Sequence, residues 1–243
     1  MKLVMQQWIG ILPAAGLATR LGSPGLPKEL LPVVFDELEG GLRPVPVIEH
    51  TLQSMAEAGV ERAYVVIAAH KLELVRVLGA GQALPVAFVC QPDPVGLTDA
   101  VLCALRWCED QTVCLALPDT WFEPTNALAA LRPVLTGADL VLGVFPTEHP
   151  HELGPVRFDG QRVVEVLDKP VSTDLRNTWG IAAWTPRFST LLREADPGPI
   201  GYAFQQAVEA GLRVRAVWFP RGRFTDVGTA RSLRDLVVGW PVE

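Results

Sequence analysis

Trp8-Ile9-Gly10-Ile11-Leu12-Pro13-Ala14-Ala15-Gly16-Leu17-Ala18-Thr19-Arg20-Leu21-Gly22, followed by Pro27-Lys28-Glu29-Leu30-Leu31-Pro32-Val33, is an apolar run that breaks into small residues and a glycine. A run of that length and composition reads as a β-strand. Where it ends in Ala14, Ala15 and Gly16, no large side chain blocks the backbone. Its N–H groups can then approach an anion closely, and phosphate is the natural guest. Thr19 can donate its hydroxyl to a phosphate or cap the turn. Arg20 adds a permanently charged fork and Lys28 a point charge across the loop. The stretch is neither a Walker loop, which needs Gly-Lys-Ser/Thr, nor the G-x-G-x-x-G dinucleotide pattern. A plain strand-to-helix turn with solvated arginine and lysine fits the same residues, and spacing alone does not choose between the two.

Further along the chain, short apolar runs recur at Ala63 to Ala68, Val86 to Cys90, Thr112 to Leu117 and Leu140 to Phe145. Segments with helical spacing separate them: Val47, Ile48, Leu52 and Met55; then Leu72, Val75 and Leu78; then Leu97, Val101, Leu102 and Leu105. Alternating helices with continuously apolar strands predict a mostly parallel central sheet in a Rossmann-like, three-layer α/β/α fold, with helices on both faces. Ligands bind such sheets at the carboxyl ends of the strands. After Phe145 the candidates shorten to Val156 to Phe158, Arg162 to Val166 and Trp179 to Trp184, which predicts a small antiparallel insertion over about 146–185. Helices are expected at Arg187 to Glu194, Ala203 to Ala210 and Thr229 to Val238, with a strand at Val214 to Trp218. No linker or charge run divides the chain, so one domain over 1–243 is expected. No appended β-helix domain is expected after the last helix.

The 243 residues are 49% hydrophobic and 20% charged, which sets aside disorder and collagen-like repeats. With 21 Lys and Arg against 27 Asp and Glu, a net charge of −6 offers no reason to wrap nucleic acid or bind an anionic membrane. No stretch approaches the roughly 20 apolar residues of a membrane helix. Gln6 and Gln7 interrupt what would otherwise resemble a signal peptide. Cys90, Cys103, Cys108 and Cys114 match no zinc spacing and lie in apolar runs, so buried thiols in a reducing, cytoplasmic compartment are expected. Self-association into a homo-oligomer stays open.

The run from Leu12 to Val33 resembles the signature loop of the sugar-1-phosphate nucleotidyltransferases, in particular the glucose-1-phosphate uridylyl- and thymidylyltransferases, which reads roughly P-A-A-G-x-G-T-R and then P-K-x-L-L-P. Further stretches match in order: Gln91-Pro92-Asp93-Pro94-Val95-Gly96-Leu97-Thr98-Asp99-Ala100, Leu117-Pro118-Asp119, Leu167-Asp168-Lys169-Pro170, Trp179-Gly180-Ile181 and Asp226-Val227-Gly228-Thr229. The resemblance implies transfer of a uridylyl or thymidylyl group from UTP or dTTP to a sugar 1-phosphate, giving a nucleotide sugar and pyrophosphate. It implies catalytic roles for Arg20, Lys28 and Lys169, and nucleotide contacts at Ala14, Ala15, Gly16, Thr19, Gln91 and Gly96. It further implies sugar contacts at Gly154, Asp168 and Gly180, and a Mg²⁺ held by Asp119 and Asp226. Ala18 stands where the family commonly has glycine, and Asp168 replaces the glutamate of its E-K-P segment.

The chemistry agrees with the resemblance, since joining two anionic phosphates calls for cations and positioning rather than a covalent group. A relative using CTP, ATP or GTP with another phosphorylated acceptor, and a catalytically silent nucleotide-sugar-binding module, remain alternatives. His50 and His70 read as structural. His149, His151 and Glu152 read as a loop bordering the sugar pocket.

Overall fold

The computed structural model describes residues 7–17, 25–38, 41–79, 83–108, 110–195 and 198–238. In chain order its strands are β1 (Trp8–Pro13), β2 (Pro32–Leu38), β3 (Gly41–Pro46), β4 (Arg62–Ile67), β5 (Val86–Cys90), β6 (Thr112–Ala116), β7 (Thr120–Glu123), β8 (Leu140–Pro146), β9 (Val156–Asp159), β10 (Arg162–Val166), β11 (Asn177–Trp184), β12 (Val214–Trp218) and β13 (Arg223–Asp226). The helices are α1 (Val47–Glu57), α2 (Glu73–Leu78), α3 (Leu97–Leu105), α4 (Ala127–Leu135), α5 (Pro186–Glu194), α6 (Ile200–Glu209) and α7 (Ala230–Val238).

Nine strands form one sheet in the order β5-β4-β1-β6-β11-β8-β12-β10-β9. β5, β4, β1 and β6 run parallel, as do β8 and β12. Successive side chains of a strand point to opposite faces, and here both faces are covered. Ile9, Ile11, Val113 and Leu115 pack in a core with residues of α3, α5 and α6. Trp8, Leu12, Cys114 and Ala116 pack in a second core with residues of α1, α2 and α4. The three-layer α/β/α arrangement expected from the alternation is therefore present.

The strands expected to be antiparallel over 146–185 are so, and they lie within the main sheet. β11 pairs antiparallel with β6 on one side and β8 on the other, at the centre of the sheet. All its residues are buried: Ala182 and Trp184 enter one core while Ile181 and Ala183 enter the other. A strand apolar on both faces is stable only with both faces covered, which accounts for its central place. β9 and β10 form an antiparallel pair that extends the far edge of the same sheet.

Two further antiparallel pairs, β2–β3 and β7–β13, lie outside the main sheet. Val33, Val34, Val45, Trp121, Val227 and Leu236 join them to α7 in a small third core. Three of the four cysteines are buried as expected. Cys90 is exposed because it ends the edge strand β5. Burial pushes the thiols of Cys108 and Cys114 up to about 11 and about 12. Among the described residues, no helix is long and apolar enough to cross a membrane.

Candidate active site

The loops after β1, β4, β5 and β6 leave the sheet at the carboxyl ends of parallel strands, where this architecture places ligands. Ala14 donates its N–H to the Val66 carbonyl at 2.7 Å, which holds the start of the first loop against β4. Ala14 and Ala15 are buried, whereas Gly16 is exposed with open space where a Cβ would stand. Thr19 and Arg20, with Ala18, lie outside the described residues.

Lys28 begins a single 3-10 turn, Lys28–Leu30, which is fixed to α1 by the Val47 N–H donating to the Leu31 carbonyl. Its ammonium is paired with the Asp119 carboxylate. Asp119 lies between β6 and β7, and Asp226 ends β13 in register with Thr120. The Val227 N–H donates to the Asp119 carbonyl at 2.9 Å, so the β7–β13 pair sets the two aspartates side by side. One Asp226 oxygen also accepts the Gly228 N–H at 2.6 Å. Burial opposes the charge on Lys28, but the carboxylates of Asp119, Glu29 and Asp226 outweigh it and hold the Lys28 pKa above its ordinary value.

Behind this group Lys71 donates to both oxygens of Glu29, at 2.7 and 2.9 Å, with side-chain exposures of only 3% and 1%. Burial raises the Glu29 pKa despite the pull of Lys71, and lowers that of Lys71 despite Glu29. Each shift expresses the same cost of keeping charge out of water.

Gln91 follows β5 and is 1% exposed. Its backbone N–H bonds the Ile67 carbonyl at 2.8 Å, and its side-chain amide donates to the Asp99 carboxylate at 2.7 Å and the Gly96 carbonyl at 3.3 Å. Gly96 starts α3 with φ of +146°, a conformation that disfavours a side chain, and faces open space.

Lys169 is the one non-glycine residue with a positive φ, 43°, among the described residues. Its N–H donates to the Leu153 carbonyl at 2.8 Å, and the next residue, Gly154, accepts from the Trp179 N–H at 2.9 Å. Because β11 begins opposite Pro146, the carboxyl end of β8, these bonds carry the Lys169 backbone to the same edge of the sheet as the phosphate loop. Gly154 and Gly180 are both buried, and a Cβ at either would collide with a ring, Trp179 for the first and Phe224 for the second. Gly180 is skipped in the β11–β8 ladder between Trp179 and Ile181, the signature of a β-bulge. Asp168 packs over Gly201, and burial raises its pKa.

Three polar residues close to this group escaped sequence reasoning. Glu29 and Asp99 lie inside quoted motifs without an assigned role, and Lys71 had no signal beyond following a strand at the carboxyl edge. His50 is structural as expected: it stacks on Trp121 with ring centroids 3.9 Å apart and donates from Nε2 to the Phe122 carbonyl at 3.0 Å. His149, His151 and Glu152 are exposed on and beside the 3-10 turn that precedes Gly154.

Residues 10–176 match the family described as the MobA-like NTP transferase domain. A glucose-1-phosphate thymidylyltransferase of Neisseria meningitidis is 28% identical over 170 residues, 66% of this chain and 55% of that protein. A UTP–glucose-1-phosphate uridylyltransferase of Streptococcus pyogenes is 30% identical over 134 residues, 49% of this chain and 44% of that protein. The chain thus spans about half the length of the curated relatives it matches. A solved structure of UDP-glucose pyrophosphorylase complexed with UDP-glucose superposes with a TM-score of 0.80 at 18% identity, covering 96% of this chain and 98% of the other, which establishes the shared fold.

Proposed function

The chain belongs to the MobA-like NTP transferase family, and from that premise we propose that it transfers a uridylyl or thymidylyl group from UTP or dTTP to a sugar 1-phosphate, releasing pyrophosphate. The observation that carries the reading is the convergence of Lys28, Asp119 and Asp226 at the carboxyl edge of the sheet that also bears the Gln91–Gly96 loop. The names of its relatives support the same chemistry.

In this reading an oxygen of the sugar phosphate attacks the α-phosphorus, a new P–O bond forms, and the bond to the pyrophosphate group breaks. No covalent enzyme group is required, so the protein contributes positioning and charge. The backbone of Ala14, Ala15 and Gly16 cradles the triphosphate, and Gly16 leaves it room. Lys28 draws charge off the α-phosphate, Arg20 off the departing pyrophosphate, and Thr19 donates to a phosphate. Lys169 holds the incoming phosphate, and its strained backbone fits a residue held for a task rather than for stability. Asp168, Gly154 and Gly180 border the sugar, with the two glycines keeping the wall thin where Trp179 and Phe224 already fill the space.

The donor set also fits a hard divalent cation. Asp119 and Asp226 stand at one end of the β7–β13 pair and both offer carboxylate oxygens, the ligands a hard cation prefers, and Asp119 already pairs with the Lys28 ammonium. These two residues would hold Mg²⁺, which would supply further charge neutralisation on the phosphates.

The test is pyrophosphate release with the four ribonucleoside triphosphates and dTTP against glucose 1-phosphate and other sugar 1-phosphates. Release confined to UTP or dTTP and dependent on a sugar phosphate supports the reading. Release confined to CTP, ATP or GTP, or binding without release, contradicts it.

A further inference from the structure

The amide of Gln91 is held in one orientation by its surroundings. An amide offers two N–H donors on nitrogen and an acceptor on oxygen. Here Nε2 faces two groups that accept and do not donate, the Asp99 carboxylate at 2.7 Å and the Gly96 carbonyl at 3.3 Å. Turning the amide over would set its oxygen against both, exchanging two hydrogen bonds for lone-pair repulsion. Asp99 is itself well placed for a carboxylate, in the first turn of α3 where the helix dipole favours negative charge. The weakly donating Cys103 thiol lies 3.9 Å from the same oxygen.

Among the described residues nothing donates to the Gln91 oxygen, although the side chain is almost wholly buried. The oxygen is not sealed from solvent, so a donor on a ligand can reach it. We infer that Asp99 is a specificity-determining positioning residue: by holding the Gln91 nitrogen, it leaves the amide oxygen as a fixed acceptor that selects bases carrying a ring N–H.

This deepens the nucleotidyl-transfer reading and rests on it. Uracil and thymine present N3–H, a donor that matches a fixed acceptor. Cytosine presents a bare N3 and adenine a bare N1, whose lone pairs would meet the Gln91 oxygen head on. Guanine carries N1–H, so a GTP arm measures what ring size adds. A site built around one hydrogen bond rejects the unmatched partner strongly, by a factor of about 100 or more.

The experiment compares kcat/KM for UTP, CTP and GTP in the wild-type protein and in Asp99→Asn, alongside wild-type turnover of N3-methyl-UTP. Asparagine can donate as well as accept, so it releases the amide to turn over. The expected result is a fall of about tenfold or more in the UTP-to-CTP ratio, made of lost UTP activity and gained CTP activity. N3-methyl-UTP should be rejected by the wild type as CTP is. A purely structural role for Asp99 would lower both activities together, and an unchanged ratio overturns the inference. Should Asp99→Asn not fold, equal wild-type use of N3-methyl-UTP and UTP overturns it, and rejection supports it. A wild-type protein that turns over no triphosphate overturns the functional reading itself, and the inference with it.

Discussion

At the scale of single residues, the account rests on charges brought together from distant parts of the chain. Asp119→Asn and Asp226→Asn should each lower turnover by about 100-fold or more while the far-UV circular dichroism stays native, because in the proposed reaction they weaken the hold on Mg²⁺ rather than packing. Near-normal rates in both would remove them from the site. Lys71→Met should lower stability by roughly 3–5 kcal/mol, since it strands the buried Glu29 carboxylate, and the double variant Glu29→Leu with Lys71→Met should recover much of that loss in chemical denaturation. Equal losses in the single and double variants would show that the pair does not act as a unit. Lys28 and Asp119 were legible because each sits in a motif whose order along the chain carries information. The partner of Lys71 lies 42 residues away in sequence, and that of Gln91 eight residues away across a turn, so neither pairing was visible before folding brought the groups together.

At the scale of elements, strands apolar on both faces were the most legible, and β1, β6 and β8 end within a residue of their apolar runs. β2 and β3 were hidden by Pro32, Pro44 and Pro46, residues that remove backbone donors and so argue against a strand. α4 was hidden by Pro133 within it. The antiparallel run of β11 was legible, but its place at the centre of the sheet was not, because the turn-rich sequence before it hides which strands it joins. The contact of α1 with β7 carries a pH prediction. Burial pushes His50 down to about 4, so the folded protein keeps it neutral while the unfolded chain protonates it near 6.5. Its contribution is therefore complete above about pH 6.5 and is lost as pH falls towards 4, at up to about 1.4 kcal/mol per pH unit. His50→Gln keeps a donor for the Phe122 carbonyl but does not titrate, and it should flatten the stability curve in that window when unfolding is followed from pH 7 to 4. An unchanged acid limb would mean that other groups set it.

At the scale of the whole molecule, the alternation of apolar strands and amphipathic helices was enough to read the layered architecture, because covering both faces of a parallel sheet leaves few arrangements. The negative net charge concentrates the explanation in the few cations at one edge of the sheet, Lys28 and Lys169 among them, and in the loops that hold them. Nucleotidyl transfer is the claim on which everything else depends, and the fate of a labelled phosphorus tests it most directly. UTP or dTTP carrying ³²P at the α position would be incubated with Mg²⁺, the protein and a sugar 1-phosphate, and the products separated. The account predicts that the label moves into a nucleotide diphosphate sugar while unlabelled pyrophosphate is released in equal amount. Label that stays in the triphosphate, or that appears in a nucleoside monophosphate whether or not the sugar phosphate is present, would contradict it.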